Sequence, residues 1–441
     1  QETYDEWVAE WKKFQAALDA KDARRERKHG LNTKFAKQLK KHYLPLLNAE
    51  HPDDGGISHK KSLLFVARFC NLWLKKSALE EKNPRRGFEK MVSNFRKVFF
   101  KDRANEGPDW EEVLKLVQGS VSEGHLATLK EYIQQGADPL YLDIDHGRGR
   151  DARPSRAEAE VELKLLNDQI TEAAAARALI FDDTEEGVHA LLMAAGFHIS
   201  GLTTAFKTHD DGSMRLDKGL EPLLRVCTNC SDGEDSVNTG LRSSDHTAQK
   251  TTSHSVIAQK YLAEERQFPS HPIRTAKNDI AGAFRHVAHV LRRVGLFASR
   301  VGRFVIVHLT LIFGSGASPG NFEIFGDVLV QTLLSEDRDD QSDPEGGGTE
   351  VPPPPKTRSR RPKRPTPPVG ATHPPVNRFV DDTLSIMAMF GRRSDDHLAR
   401  LRRIITSLLG PGGLNTEKED EVGKPSAFKH AFGVVIDSVE R

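Results

Sequence analysis

Two adjacent aspartates between short apolar runs constrain this chain more than any other stretch: Asn377-Arg378-Phe379-Val380-Asp381-Asp382-Thr383-Leu384-Ser385-Ile386. The flanks alternate as strands do, and the acids fall where a hairpin would turn. Two neighbouring carboxylates repel each other, so such a turn holds them only with water or a divalent cation between them. The dipeptide alone says little, because the sequence has six Asp-Asp pairs, at 53–54, 182–183, 210–211, 339–340, 381–382 and 395–396. Phe181-Asp182-Asp183-Thr184 is almost a second copy. What precedes each pair decides between them.

A chain of 441 residues has room for about two to four domains and a large core. The net charge of +1 suggests no partner, but its distribution is uneven. Residues 1–100 carry 22 Lys and Arg against 13 Asp and Glu, whereas residues 101–200 carry 10 against 20. That asymmetry fits a basic, nucleic-acid-facing module followed by an acidic one; solvated helix faces that lean one way fit equally well. Three cysteines, Cys70, Cys227 and Cys230, argue against a disulfide framework. Cys227 and Cys230 have the spacing of half a zinc site, but no second pair stands at finger spacing. The longest apolar run, Phe304 to Phe313, is interrupted by His308 and Thr310 and is too short to span a bilayer. With no signal-peptide pattern the expected location is intracellular, nuclear or cytoplasmic; beginning at Gln1, the chain reads as a piece of a longer product.

Residues 1–140 read as a helical, basic region. Tyr4, Trp7, Trp11, Phe14 and Leu18 recur at helical spacing after Thr3, and Phe35, Leu39 and Tyr43 suggest a second helix. Leu63, Val66, Phe69, Cys70 and Trp73 form the stripe of a third, over about 62–76. These aromatics suit a helix-bundle core better than base stacking. Arg24, Arg25, Arg27 and Lys28 form the densest basic cluster. Two short helices follow within 110–140. Residues 141–200 read as a linker and an acidic helical segment, with a helix at about 158–179.

From 201 to 275 the pattern shifts to short strands and loops, with Leu220 to Cys227 strand-like. In Lys277-Asn278-Asp279-Ile280-Ala281-Gly282-Ala283-Phe284 an acid ends an extended segment, and a helix is expected from Phe284 through Val287, Val290 and Leu291. An apolar strand over 304–312 leads to a tight loop, Phe313-Gly314-Ser315-Gly316, and Pro319 suits the first turn of the helix after it. A low-complexity segment at about 335–375, acidic and then proline-rich and basic (356–364), precedes the aspartate hairpin. Beyond it, Ser394 is expected to cap a helix with Leu398, Leu401, Ile405 and Leu408 on one face, ended by Gly410. A last strand pair is expected around 432–437.

In this order the blocks resemble the palm of retroelement reverse transcriptases. Asp279 with Phe284 is similar to motif A, Phe313 to Phe322 to motif B, Phe379 to Asp382 to motif C, the loop of Lys418 to motif D, and Ala431 to Asp437 to the primer-grip hairpin. Arg225 to Asn238 resembles the preceding fingers segment, so the likeness covers roughly 210–441. It implies an α+β fold: right-hand polymerase fingers (201–275) and palm (276–441), with an antiparallel palm sheet and flanking helices. No thumb or RNase H is seen in the sequence. Motif B begins with Phe313 where Gln is usual, which looks more like the tyrosine-recombinase (DIRS-like) retrotransposons.

The implied activity is RNA-directed DNA polymerisation by two-metal nucleotidyl transfer; the alternative is an inactive retroelement remnant that binds nucleic acid. Such transfer needs carboxylates from separate strands converging on two cations about 3.5–4 Å apart. Asp279 and Asp381 are the expected bridging ligands, with Asp382 in support. Mg²⁺ is the expected metal, with Mn²⁺ as a substitute. The resemblance gives Phe284 the place of a steric gate under the sugar, where ordinary helix core is the other reading. Gly314 would let the loop backbone approach the template–nucleotide pair. Lys418 would protonate pyrophosphate, or is a surface lysine among acids; Arg225 would fork onto the triphosphate, or pairs structurally. RNA template, DNA primer and deoxynucleoside triphosphates are the implied partners, with no membrane. The stretch Arg274-Thr-Ala-Lys-Asn278 is unusually polar for a central palm strand.

Overall fold

A computed structural model describes residues 31–48, 57–99, 110–138, 150–151, 170–206, 213–214, 216, 224–231, 236–241, 253–339, 376–379, 382–389, 393–415, 428–431 and 434–437. It is a mixed helix-and-sheet structure, in line with an α+β class. Helix α1 (Leu31–Gln38) continues through a π-helical turn, Leu39–Tyr43, into α2 (Leu44–Asn48). Helices α3 (Ile57–Glu81) and α4 (Pro84–Phe99) form a hairpin. The Asn83 side-chain oxygen accepts from the Arg86 amide (3.0 Å) where α4 starts at Pro84. Gly87 lets the two helices touch, since a Cβ there would stand 2.6 Å from the backbone of Ala78. Phe35, Tyr43, Phe69 and Trp73 are buried and in ring contact in a chain, Trp73 to Phe35 to Phe69 to Tyr43, as the bundle-core reading expects.

Next come α5 (Trp110–Val117), α6 (Glu123–Gln135), β1 (Arg150–Asp151), β2 (Ala178–Asp182), α7 (Val188–Ala194), β3 (His198–Ser200), β4 (Leu202–Phe206) and β5 (Leu224–Thr228). Helix α8 (His254–Gln267) leads to β6 (Ile273–Asp279), then β7 (Ala298–Val301) and β8 (Phe304–His308). Helix α9 (Ser318–Asp339), β9 (Val376–Phe379), β10 (Asp382–Ala388), α10 (Arg393–Leu409), β11 (Phe428–Ala431) and β12 (Val434–Asp437) complete the described chain.

Strands β1-β3-β7-β8-β2 form a five-stranded sheet, parallel on the β1 side and antiparallel on the β2 side. Strands β2 and β8 are buried along their whole length, so they read as apolar runs without alternation. One continuous apolar cluster runs from Phe35 to Leu309 and joins this sheet to α1, α3 and α4; Phe88 on α4 meets Phe197 edge-to-face. A second cluster unites α5, α6, α9 and α10.

Several expectations shift in the structure. The helix expected from Phe284 is absent; two 3-10 turns, Ala283–His286 and Leu291–Leu296, flank an extended stretch. That stretch satisfies its backbone with distant partners rather than helically: His289 N–H donates to Leu309 C=O, and Val290 N–H to Ala137 C=O. The apolar run from 304 therefore serves three partners, β2 and β7 up to His308, then 287–289 through Leu309 and Leu311. Of the helix expected at 158–179, residues 170–174 are helical and strand begins at Ala178; 158–169 lie outside the described residues. Helix α3 runs further at both ends than 62–76. Helix α10 starts at Arg393, one residue before its expected cap, and Gly410 (φ 85°) ends it as expected.

His308 is accommodated on a buried strand by a defined tautomer. Arg285, which can only donate, faces its Nδ1 at 3.2 Å, so Nε2 carries the proton toward Ser299 Oγ (3.3 Å). Burial, helped by the Arg285 charge, pushes the imidazole well below its ordinary range and keeps it neutral.

Candidate functional site

The second sheet, β6-β10-β9, carries the candidate acids. Strand β10 lies in the middle. Leu384, Ile386 and Ala388 face Ile257 and Tyr261 of α8, while Met387 packs with Ala276 and Leu398 on the α10 side. The polar segment before Asp279 is thus an outer strand of the three, with Ile273 and Ala276 supplying its apolar contacts. Helix α8 also grips the hairpin through its backbone. Buried Glu264 accepts the Ala388 N–H (2.9 Å), and Lys260 donates to Val376 C=O (2.9 Å).

The hairpin expected at the Asp-Asp pair is present, with Phe379 opposite Asp382 across β9 and β10. On its other side Asp382 faces Asp279, the last residue of β6. Directly opposed residues of an antiparallel pair sit about 4.5–5.5 Å apart at Cα. Two acids 103 positions apart in sequence are thereby backbone neighbours at one end of one sheet. Asp381 and Lys418 lie outside the described residues, and only the backbone is described of Asp382, in β10, and of Arg225, in β5.

Asp279 is 6% exposed. The loop after α10 flanks it on the side away from β10: Asn415 N–H donates to Asp279 C=O (3.0 Å), and Asn415 Nδ2 donates to Asp279 Oδ2 (2.7 Å). This donor is a neutral amide, which orients the carboxylate and leaves its charge intact. An anionic oxygen donor at a strand end beside a second aspartate fits the hard-ligand chemistry of Mg²⁺ or Mn²⁺. Among the described residues no cluster of three or more His, Cys, Asp or Glu stands in ligating arrangement, the Cys227–Cys230 pair included.

Phe284 lies on a 3-10 turn, is also 6% exposed, and packs against Phe313 and Phe322 at 5.0 and 6.1 Å between ring centroids. These contacts suffice to explain an aromatic there as core. Gly314 has φ 104°, and a Cβ on it would fall on the Thr228 carbonyl oxygen, inside van der Waals contact. The backbone that comes this close to it is the end of β5, within the chain itself. Asn238 completes that junction: its amide donates to Gly314 C=O (2.8 Å), and its oxygen accepts the Gly316 N–H (2.9 Å).

The near-copy at Asp182 is of another kind. Its carboxylate is fully buried and takes a two-pronged contact from Arg303 (2.9 and 2.7 Å), with Thr184 on Oδ1 and Arg68 at 3.5 Å from Oδ2. Its main chain exchanges two hydrogen bonds with Asn71 of α3. A carboxylate so occupied is a structural joint between α3 and the five-stranded sheet.

Sequence reasoning missed Asn415. Its partner stands 136 positions away, and no local pattern marks a loop asparagine as the neighbour of a strand-end aspartate.

No protein-family model matches the sequence, and no curated protein matches it. Among solved structures the chain is similar to foamy viral protease-reverse transcriptase in complex with double-stranded DNA, with TM-score 0.39 and 11% identity over 76% of this chain and 47% of that one. It is similar also to the same protease-reverse transcriptase in complex with RNA/DNA hybrid (TM-score 0.38, 10% identity, 75% and 36%). A selenomethionine-labelled CSH mutant of the prototype foamy virus protein gives 0.37 and 13% over 75% and 36%. The chain spans less than half the length of each of these proteins. No described helix is long and apolar enough to cross a membrane.

Proposed function

We propose that this chain is the template-directed polymerase portion of a retroelement reverse transcriptase, extending a DNA primer on an RNA template. The observation that carries the reading is the antiparallel register that sets Asp279 opposite Asp382, the residue that follows Asp381 in sequence. Asp279 and Asp381 would hold the metal ions, with Asp382 in support. Divalent cations held there, Mg²⁺ or Mn²⁺, would supply activation of the primer 3′-hydroxyl and charge neutralisation on the triphosphate. The chain's residues fix the geometry of in-line attack on the α-phosphorus, from which pyrophosphate leaves. Arg225 receives the triphosphate, Lys418 gives the departing pyrophosphate its proton, and Phe284 and Gly314 line the nucleotide. Phe313 at the start of the glycine loop favours the tyrosine-recombinase type of element.

Primer extension on an RNA template with Mg²⁺ tests this, run beside Asp381→Asn and Asp279→Asn. Extension by the parent chain and its loss in both variants is the expected result. Activity that survives Asp381→Asn overturns the assignment.

A second reading is a non-catalytic nucleic-acid binder. It is favoured by the charge of the helices: residues 31–48 and 57–99 carry fifteen Lys and Arg against three Glu. It requires affinity that falls steeply with salt through counterion release, and no metal-dependent synthesis.

A further inference from the structure

We infer that Asn415 is a positioning residue that fixes the orientation of the Asp279 carboxylate for a divalent cation, an inference that rests on the polymerase reading above. The local fold builds this contact deliberately. Gly410 stops α10 at φ 85°, and the 3-10 turn Pro411–Gly413 folds the chain back. Gly413 lies so close to the helix that a Cβ would come within 2.7 Å of Leu409 Cβ. The next residues then run antiparallel beside the end of β6. Ala281 N–H donates to Gly413 C=O, Asn415 N–H donates to Asp279 C=O, both at 3.0 Å, and Leu414 pairs with Ile280. Asp279 is therefore held between Asp382 on one side and Asn415 on the other.

The side-chain bond, Nδ2 to Oδ2 at 2.7 Å, is a separate element from that main-chain docking. It sets the plane of the carboxylate. A lysine or arginine in its place would neutralise the acid and compete with a cation; an amide orients it and leaves the anion whole. Partners of this kind around metal ligands typically contribute about 10–100-fold in metal affinity. Main-chain donors are unaffected by replacing the side chain, so fold and orientation can be separated.

Mn²⁺ titration of the full chain, followed by the electron paramagnetic resonance signal of free Mn²⁺, reads affinity directly. The expected result is that Asn415→Ala weakens Mn²⁺ binding by about 10–100-fold, with an unchanged circular dichroism spectrum. In primer extension, raising Mn²⁺ to saturation restores the Asn415→Ala rate but not that of Asp279→Asn. Asn415→Ser, too short to reach the carboxylate yet suited to a turn, repeats the measurement should the alanine variant fail to fold. Parent-like Mn²⁺ affinity in a folded Asn415 variant, alongside lost affinity in Asp279→Asn, overturns this inference alone. Parent-like affinity in Asp279→Asn removes the metal-site reading on which it rests.

Discussion

Replacing Asp182 by asparagine is a sharp test of whether the second Asp-Asp pair is structural. The parent carboxylate is fully buried and accepts two bonds from Arg303, with Thr184 and Arg68 beside it. Asparagine keeps the shape, offers one acceptor instead of two, and turns an NH₂ toward a guanidinium. A hydrogen bond to a charged group contributes about 1.5–3 kcal/mol. Arg303 is 40% exposed and regains water when released, so the loss lies near about 2–3 kcal/mol rather than at the sum of both prongs. Arg303→Ala should cost at least as much, because it leaves a buried carboxylate short of its main partner. Burial alone would raise the Asp182 pKa; the bonds from Arg303 and Thr184 more than reverse this and hold it below the ordinary value. A depressed folded pKa gives stability that is complete above the unfolded value, near 4, and fades as pH falls through the folded one. The difference between parent and Asp182→Asn should hold from pH 7 to about 5 and shrink below about 4. Urea unfolding followed by tryptophan fluorescence reports it, since Trp73 is buried on the helix that carries Arg68 and Asn71. Equal midpoints at pH 7, or a gap that persists unchanged at pH 3, refute the reasoning.

Other expectations follow from the same contacts. His308 is held neutral by burial and by Arg285, so the unfolded chain takes up a proton first and stability falls as pH drops below about 6.5; His308→Gln should flatten that slope in urea midpoints taken across pH 5–8. Gly314→Ala places a methyl on the Thr228 carbonyl at positive φ and should lower thermal stability, whereas Gly412→Ala, with open space around it, should not. Phe284→Ala removes a buried ring from contact with Phe313 and Phe322, at a cost of about 3–5 kcal/mol by urea unfolding. If Phe284 also gates the sugar, Phe284→Val should raise ribonucleotide incorporation relative to deoxyribonucleotide in primer extension.

What the sequence revealed was local. The Asp-Asp hairpin, the helices with apolar positions at 3.6-residue spacing, the glycine stop at 410 and the last strand pair all rest on neighbours a few positions away. The five-stranded sheet was opaque, because its strands are two to five residues long, come from 150 to 308, and pair partly in parallel. The stretch after Phe284 misled for a related reason: Val287 and Val290 mimic a helical stripe, yet their main chain is bonded to Leu311 and Ala137, and that of His289 between them to Leu309. The polar strand 273–279 looked unfit for the middle of a sheet and is not in the middle. Phe284 and Gly314 were legible as special positions, and both have sufficient reasons within the chain. The Asn415–Asp279 and Asn238–Gly314 contacts join loops 136 and 76 positions apart, which no periodicity signals.

Helix α4 also has consequences for how the polypeptide comes to be made. Arg96 on that helix donates to the main-chain oxygens of His289 and Leu309, 193 and 213 positions downstream. The aromatic face of α4 is closed by Phe181 and Phe197. During synthesis these helices emerge long before the strands that cover them. At roughly 5–20 residues per second, about 10–40 seconds separate Phe99 from Leu309 at the ribosome. For the first part of that interval, until Phe181 and Phe197 emerge, Phe88 lacks its aromatic cover. Folding force on stalled nascent chains should accordingly rise only once residues beyond 309 have cleared the exit tunnel, and a full-strength signal at chain lengths near 200 would show that the helices complete their core unaided.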